Sequence, residues 1–129
     1  MSFHQPQAVP TERISQALSH GEKFVDQYYK SFSKSVGKFY TPESRIIWNG
    51  QGFSGEQFSN VLPELQKILL HFDVTSYDAQ PLGPANSSLT MINVSGLVKI
   101  DKKKQFAQQF VVQKAGNLTY IVSDCFRLV

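Results

Sequence analysis

Helical periodicity confined to the first half of the chain, with strand alternation filling the second, predicts an α+β fold. Three observations carry that expectation. Ile14, Leu18, Gly21, Val25, Tyr28 and Phe32 recur at spacings of four, three, four, three and four, one apolar stripe along a helix. Four alternating runs follow Phe72, separated by turn-rich segments. Helices first and a meander last imply helices packed on one face of a bent, mostly antiparallel sheet.

Each element has its own signal. Thr11 is a good N-cap and Glu12 an acid in the favourable first turn, so the long helix should start there, widened by Phe24 and Tyr29. "KSVGKFY" offers a second short helical piece through Val36, Phe39 and Tyr40, stopped at Thr41-Pro42. In "RIIWNGQGFSG" the period changes: Ile46 and Trp48 alternate with Arg45 and Ile47, and Asn49-Gly50 is a turn pair. Ser54 with Gln57 three residues on is a capping box that should open a third helix through Phe58, Leu62, Leu65 and Leu69. Pro63 removes a backbone donor inside it and is expected to kink or split it. The remaining strands are "FDVTSYDAQPL", "SLTMINVSGLVKI", "QFAQQFVVQK" and the final "LTYIVSDCFRLV", with "DKKK" as a charged hairpin tip.

At 129 residues the chain is expected to form one domain over 11–129, preceded by a flexible arm over 1–10. A domain of this size buries roughly two-thirds of its unfolded surface. Ten Phe against one Trp point to a phenylalanine core. Net charge is +3 and dispersed, which argues against a nucleic-acid face, where basic residues cluster. A single Cys excludes an internal disulfide and fits a reducing compartment. "MSFHQPQAVP" lacks the apolar run of a signal peptide, and no stretch approaches a membrane span.

Parity along the strands separates two faces. Tyr120, Val122, Asp124, Phe126 and Leu128 are expected inward, with Ile92, Val94, Val98, Ile100, Phe106, Phe110 and Val112. Outward are Ile121, Ser123, Cys125, Arg127, Leu89, Met91, Asn93, Ser95, Leu97, Gln105, Gln109, Val111 and Gln113. Solvated strand faces favour Lys, Glu and Thr. This one mixes apolar and neutral polar groups with little charge, as a protein interface does.

The candidate chemistry is sparse. Asp124 in an apolar line is either a general base with a raised pKa or a structural carboxylate held by a hydroxyl, backbone N–H groups or an Arg such as Arg45; the second is preferred. Cys125 is read as a contact residue, not a nucleophile. The histidines lack ligand spacing, so no metal and no cofactor is expected. "GQGFSG" lacks a phosphate-loop pattern. Lys102 to Lys104 form a solvated tip. Asp78 interrupts its strand and is either one half of a cross-interface ion pair or an ordinary strand-edge acid.

The order of elements, with "FVDQYY", "WNGQGFSG", "SYDAQP", "QQFVV" and "SDCFR", resembles the nuclear transport factor 2 family over roughly residues 14–129. Trp48-Asn49-Gly50 and Ser123-Asp124-Cys125-Phe126-Arg127 are its most specific pieces, and they look closest to the family's messenger-RNA export branch. The resemblance implies a cone in which a bent sheet wraps the long N-terminal helix, with two further helices, and pairing through the outer sheet face. It implies a non-catalytic adaptor that heterodimerises with the NTF2-like domain of a large mRNA export receptor. Through the heterodimer it would engage Phe-Gly nucleoporins, in the nucleus and at the nuclear pore, shuttling to the cytoplasm. Partner contacts would come from Asp78, Asn93, Gln109, Val111, Cys125 and Arg127. Trp48, Phe58, Tyr120, Asp124 and Phe126 would line the cone. In the family's homodimeric Ran-GDP import branch, acids cluster where this chain has Lys102 to Lys104, which favours export. The wider superfamily also holds isomerases and dehydratases, for which Asp124 with Tyr28, Tyr40 or Tyr120 would be the machinery.

Overall fold

The computed structural model describes residues 11–129, so the arm expected over 1–10 lies outside the described residues. The chain runs α1 (Thr11–Ser31), a 3₁₀ turn (Val36–Phe39), β1 (Tyr40–Trp48), β2 (Gln51–Ser54), α2 (Gly55–Ile68), β3 (His71–Leu82), β4 (Leu89–Lys99), β5 (Lys103–Ala115) and β6 (Leu118–Leu128). The six strands form one sheet in the order β2-β1-β6-β5-β4-β3. All neighbours are antiparallel except β1 and β6. The sheet does not close on itself, and α1 and α2 pack on it, as expected for the cone.

Helix α1 buries Ala17, Gly21, Phe24, Val25 and Tyr28. Gly21 is where the helix comes closest to the sheet: a Cβ built there would lie 2.5 Å from the Ala79 Cβ of β3. Small residues on both sides of that crossing set the approach. The inner line of the helix therefore passes through Ala17 and Gly21, which leaves Ile14 and Leu18, expected in the stripe, 41% and 47% exposed. Thr11, expected as the N-cap, is the first described helical residue.

The second helical piece is shorter than its pattern implied. A single 3₁₀ turn is all that forms, and Tyr40 already opens β1. Asn49 and Gly50 both have positive φ, 50° and 89°, the backbone of a tight hairpin turn. They return the chain into β2, a short strand absent from the strands expected from the sequence. The capping box forms as expected: Gln57 N donates to Ser54 Oγ at 3.1 Å, and Ser54 N donates to Gln57 Oε1 at 2.9 Å. α2 then continues as one helix through Pro63, without the expected split. Proline costs that helix one backbone donor, while its inner residues Phe58 and Leu62 stay buried in the core.

Three register shifts interrupt the ladders: Tyr40/Arg45 in β1, Val74/Ser76 in β3 and Val111/Val112 against β6. Such bulges add local twist and bend, which suits a sheet that wraps a helix. The one in β6 also changes parity. Val112 faces Ile121 while Val111 faces Ser123, so Val122 is the extra residue. Ile121 is consequently 1% exposed and Val122 40% exposed, the reverse of the expectation. Tyr120 shifts with them: it pairs with outward Gln113 and does not line the cone. Beyond the bulge the expected alternation resumes, with Asp124 and Phe126 buried and Cys125 and Arg127 exposed.

Candidate functional site: a filled cone and an open sheet face

The interior of the cone is packed with rings. Phe24 meets Phe110 edge-on at 4.9 Å, Tyr28 meets Phe110 at 4.8 Å, and Trp48 stacks on Phe126 at 4.2 Å with Phe58 against the indole at 5.3 Å. Edge and offset stacking of this kind adds to the burial of large apolar area. Trp48, Phe58 and Phe126 thus lie in the core.

Within those rings sits a polar cluster. Asp124 is 2% exposed. Its Oδ2 accepts from Tyr40 Oη at 2.6 Å and its Oδ1 from Gln108 Nε2 at 2.8 Å. Since the Tyr40 proton points at the carboxylate, Tyr28 Oη donates to Tyr40 Oη, 2.7 Å away. Tyr29 Oη donates to Gln108 Oε1 at 2.7 Å. Burial pushes the Asp124 carboxyl up to about 7, while the bonds from Tyr40 and Gln108 pull the other way. Burial raises the phenols of Tyr28, Tyr29 and Tyr40 as well. Among the described residues no buried side-chain polar atom lacks a partner. Of the partners considered for Asp124, a hydroxyl is present in Tyr40, whereas Arg45 is exposed on the opposite parity. Gln108 was missed, although its position between Phe106 and Phe110 on the inward parity was a readable signal.

Chemically, a carboxyl that titrates near neutrality beside two phenols is able to move a proton. Here both its oxygens are engaged and aromatic rings enclose it, which fits a structural polar core better than a substrate site.

The outer face is built differently. Cross-strand register brings Asp78, Asn93, Gln109, Cys125 and Ile47 into a single transverse row over β3, β4, β5, β6 and β1. The next row holds Gln80, Met91, Val111 and Ser123, and the row on the other side holds Ser95, Ala107 and Arg127. All six residues expected at a partner surface therefore lie on one patch. It is concave, with a hollow of about 680 Å³ that Asp78, Asn93, Gln109, Cys125 and Arg127 help to line. Gln109 Nε2 donates to Asn93 Oδ1 at 3.0 Å, and Gln80 Nε2 donates to Asp78 Oδ2 at 3.0 Å. Asp78 is exposed, and among the described residues the ion pairs are Lys30–Asp26 and Lys67–Glu64, both within helices.

Comparison with known proteins agrees with this architecture. The nuclear transport factor 2 (NTF2) domain model matches residues 20–128. A protein named nuclear transport factor 2 from Oryza sativa subsp. japonica is 30% identical over 110 residues, covering 81% of this chain and 90% of that relative. NTF2-related export protein 1 of Schizosaccharomyces pombe is 26% identical over 101 residues, covering 76% and 85%. The solved structure of nuclear transport factor 2 from Cryptosporidium parvum superposes with a TM-score of 0.74 at 28% identity, covering 91% of this chain and 95% of that one. The named relatives are transport factors, not enzymes. From its ring-packed cone to its open outer sheet face, the chain belongs to the nuclear transport factor 2 family.

Proposed function

We propose that the protein is a non-catalytic adaptor whose outer sheet face pairs with the NTF2-like domain of a large mRNA export receptor. The heterodimer would then engage Phe-Gly nucleoporins and act in the nucleus and at the nuclear pore, shuttling to the cytoplasm. The supporting observation is the transverse row Asp78–Asn93–Gln109–Cys125–Ile47, which spans five strands and mixes neutral polar and apolar groups. A concave array of that composition is suited to docking against a second sheet, with roughly 800 Å² buried per partner. Exposed Asp78 at one end offers a cross-subunit partner for an arginine.

A second reading is a homodimeric Ran-GDP import carrier. The Oryza sativa relative carries the name of the import factor. Asp78 and Arg127 also place opposite charges on one face, which a two-fold contact with a second copy would pair. Export is favoured by the hairpin at Lys102 to Lys104, whose sign is opposite to the acids of the import branch.

Co-expression with the NTF2-like domain of a candidate large export subunit, followed by mass determination of the purified complex, tests the proposal. A one-to-one complex supports it. A homodimer that retains Ran-GDP in a pull-down at physiological salt replaces it with the import reading.

A further inference from the structure

At the end of β5 away from its basic tip, a second concavity opens between the N-terminal half of α1 and the β3–β4 connection. Its volume is about 500 Å³, within the range of small-ligand clefts. Arg13 and Lys23 reach it from α1 and Lys114 from β5, while His20, Ser87 and Ser88 complete the polar wall. No Asp or Glu lines it: Glu12 and Glu22, the sequence neighbours of Arg13 and Lys23, are absent from its walls.

The wall is tied into the fold through Arg13, His20 and the backbone beside Lys114. Arg13 Nη2 donates to the carbonyls of Leu82 at 3.3 Å and Gly83 at 3.1 Å, which ties α1 to the turn. His20 Nε2 is 3.1 Å from Thr119 Oγ1. The Lys114 amide donates to the Ser88 carbonyl at 3.3 Å, and Ser87 Oγ accepts from the Leu89 amide at 3.1 Å. Among the described residues neither Lys23 nor Lys114 is in a salt bridge.

From this geometry we infer that the cleft binds one phosphomonoester group, carried on a small molecule or on a phosphorylated side chain. Three cations, Arg13, Lys23 and Lys114, line a concave wall that holds no Asp or Glu and focus a positive potential there, and lysine is an effective point-charge partner for phosphate. A dianionic monoester matches that charge better than the monoanionic diester of a polynucleotide. The wall also lacks Phe, Tyr and Trp for bases to stack on. Lys102 to Lys104 lie at the opposite end of β5, so no continuous basic track joins the two. His20 reports on the site: burial, Lys114 and Lys23 all hold its pKa below the ordinary value, and a bound dianion would raise it.

The test is NMR titration of the full chain at low salt with inorganic phosphate, with a phosphoserine peptide, and with chloride at equal ionic strength. A ten-nucleotide single-stranded RNA forms the last arm. The expected result is saturable movement of the His20 ring signals and an upward shift of its titration midpoint with phosphate or the peptide, but not with chloride. The tighter of those two ligands identifies the source of the group. A Lys23→Gln/Lys114→Gln double variant, melting at the wild-type temperature in the absence of phosphate, should bind at least about tenfold more weakly. Equal response to chloride, unchanged affinity in the double variant, or stronger binding of RNA than of either monoester would each overturn the inference.

Discussion

Asp124 shows how one buried group links sequence to measurable behaviour. Unfolded, its carboxyl ionises at the ordinary value of 3.8; folded, it keeps its proton up to about 7. Between those values the native state binds one more proton than the unfolded chain, so this group's contribution to stability falls as pH rises and levels off above 7. At about 1.4 kcal/mol per pH unit the span is of order 4 kcal/mol. Asp124→Asn should therefore flatten the stability profile between pH 4 and 7, as read by urea unfolding at several pH values. His20 tilts stability the opposite way, because its lowered pKa costs native stability on acidification, so the wild-type minus variant difference isolates Asp124. The variant should also keep its partner binding; loss of a turnover together with retained folding would instead favour the enzyme reading. The acid itself was legible in the sequence, lying in line with Val122 and Phe126. Gln108 between Phe106 and Phe110 carried the same inward-parity signal, but its pairing with Asp124 was not legible, because the two meet only across the β5–β6 ladder.

Element-scale features divide in the same way between local and long-range causes. The capping box of α2 is local, and its residue pattern was enough to place the helix start. Ser54→Ala should cost about 1 kcal/mol, measured as a fall in the urea midpoint. The crossing of α1 over β3 is long-range. Gly21→Ala improves intrinsic helix propensity by roughly 1 kcal/mol, yet its methyl group would meet Ala79 at 2.5 Å. Overpacking of about 1–3 kcal/mol should win, and the variant should unfold at lower urea with an unchanged slope. Helical periodicity located α1 but not its inner line, because that line depends on which residues face Ala79 across the sheet. The strand faces were readable wherever pairing stays regular. At Val122 a bulge reversed them, and a bulge is a property of two strands together that neither strand's alternation records.

For the molecule as a whole, the α+β class, the helix-then-meander order and the outer patch were all visible in alternation and turn residues. β2 and the parallel pairing of β1 with β6 were not. Four residues are too few to show a period, and a contact between strands so far apart in sequence carries no local signal. The outer face carries the prediction for assembly. Asp78 is exposed and, among the described residues, its side chain hydrogen-bonds Gln80 alone, so Asp78→Arg should leave the melting temperature of the isolated chain within about 2 °C. The same change should weaken partner capture by tenfold or more, measured by titration calorimetry. Unchanged affinity would remove Asp78 from the seam. β6 alone bridges the β2–β1 hairpin and the β5–β4–β3 meander, although it follows both in the chain. Without it two half-sheets stand apart with their edges bare, so a fragment ending at Asn117 should give an NMR spectrum without dispersed amide signals.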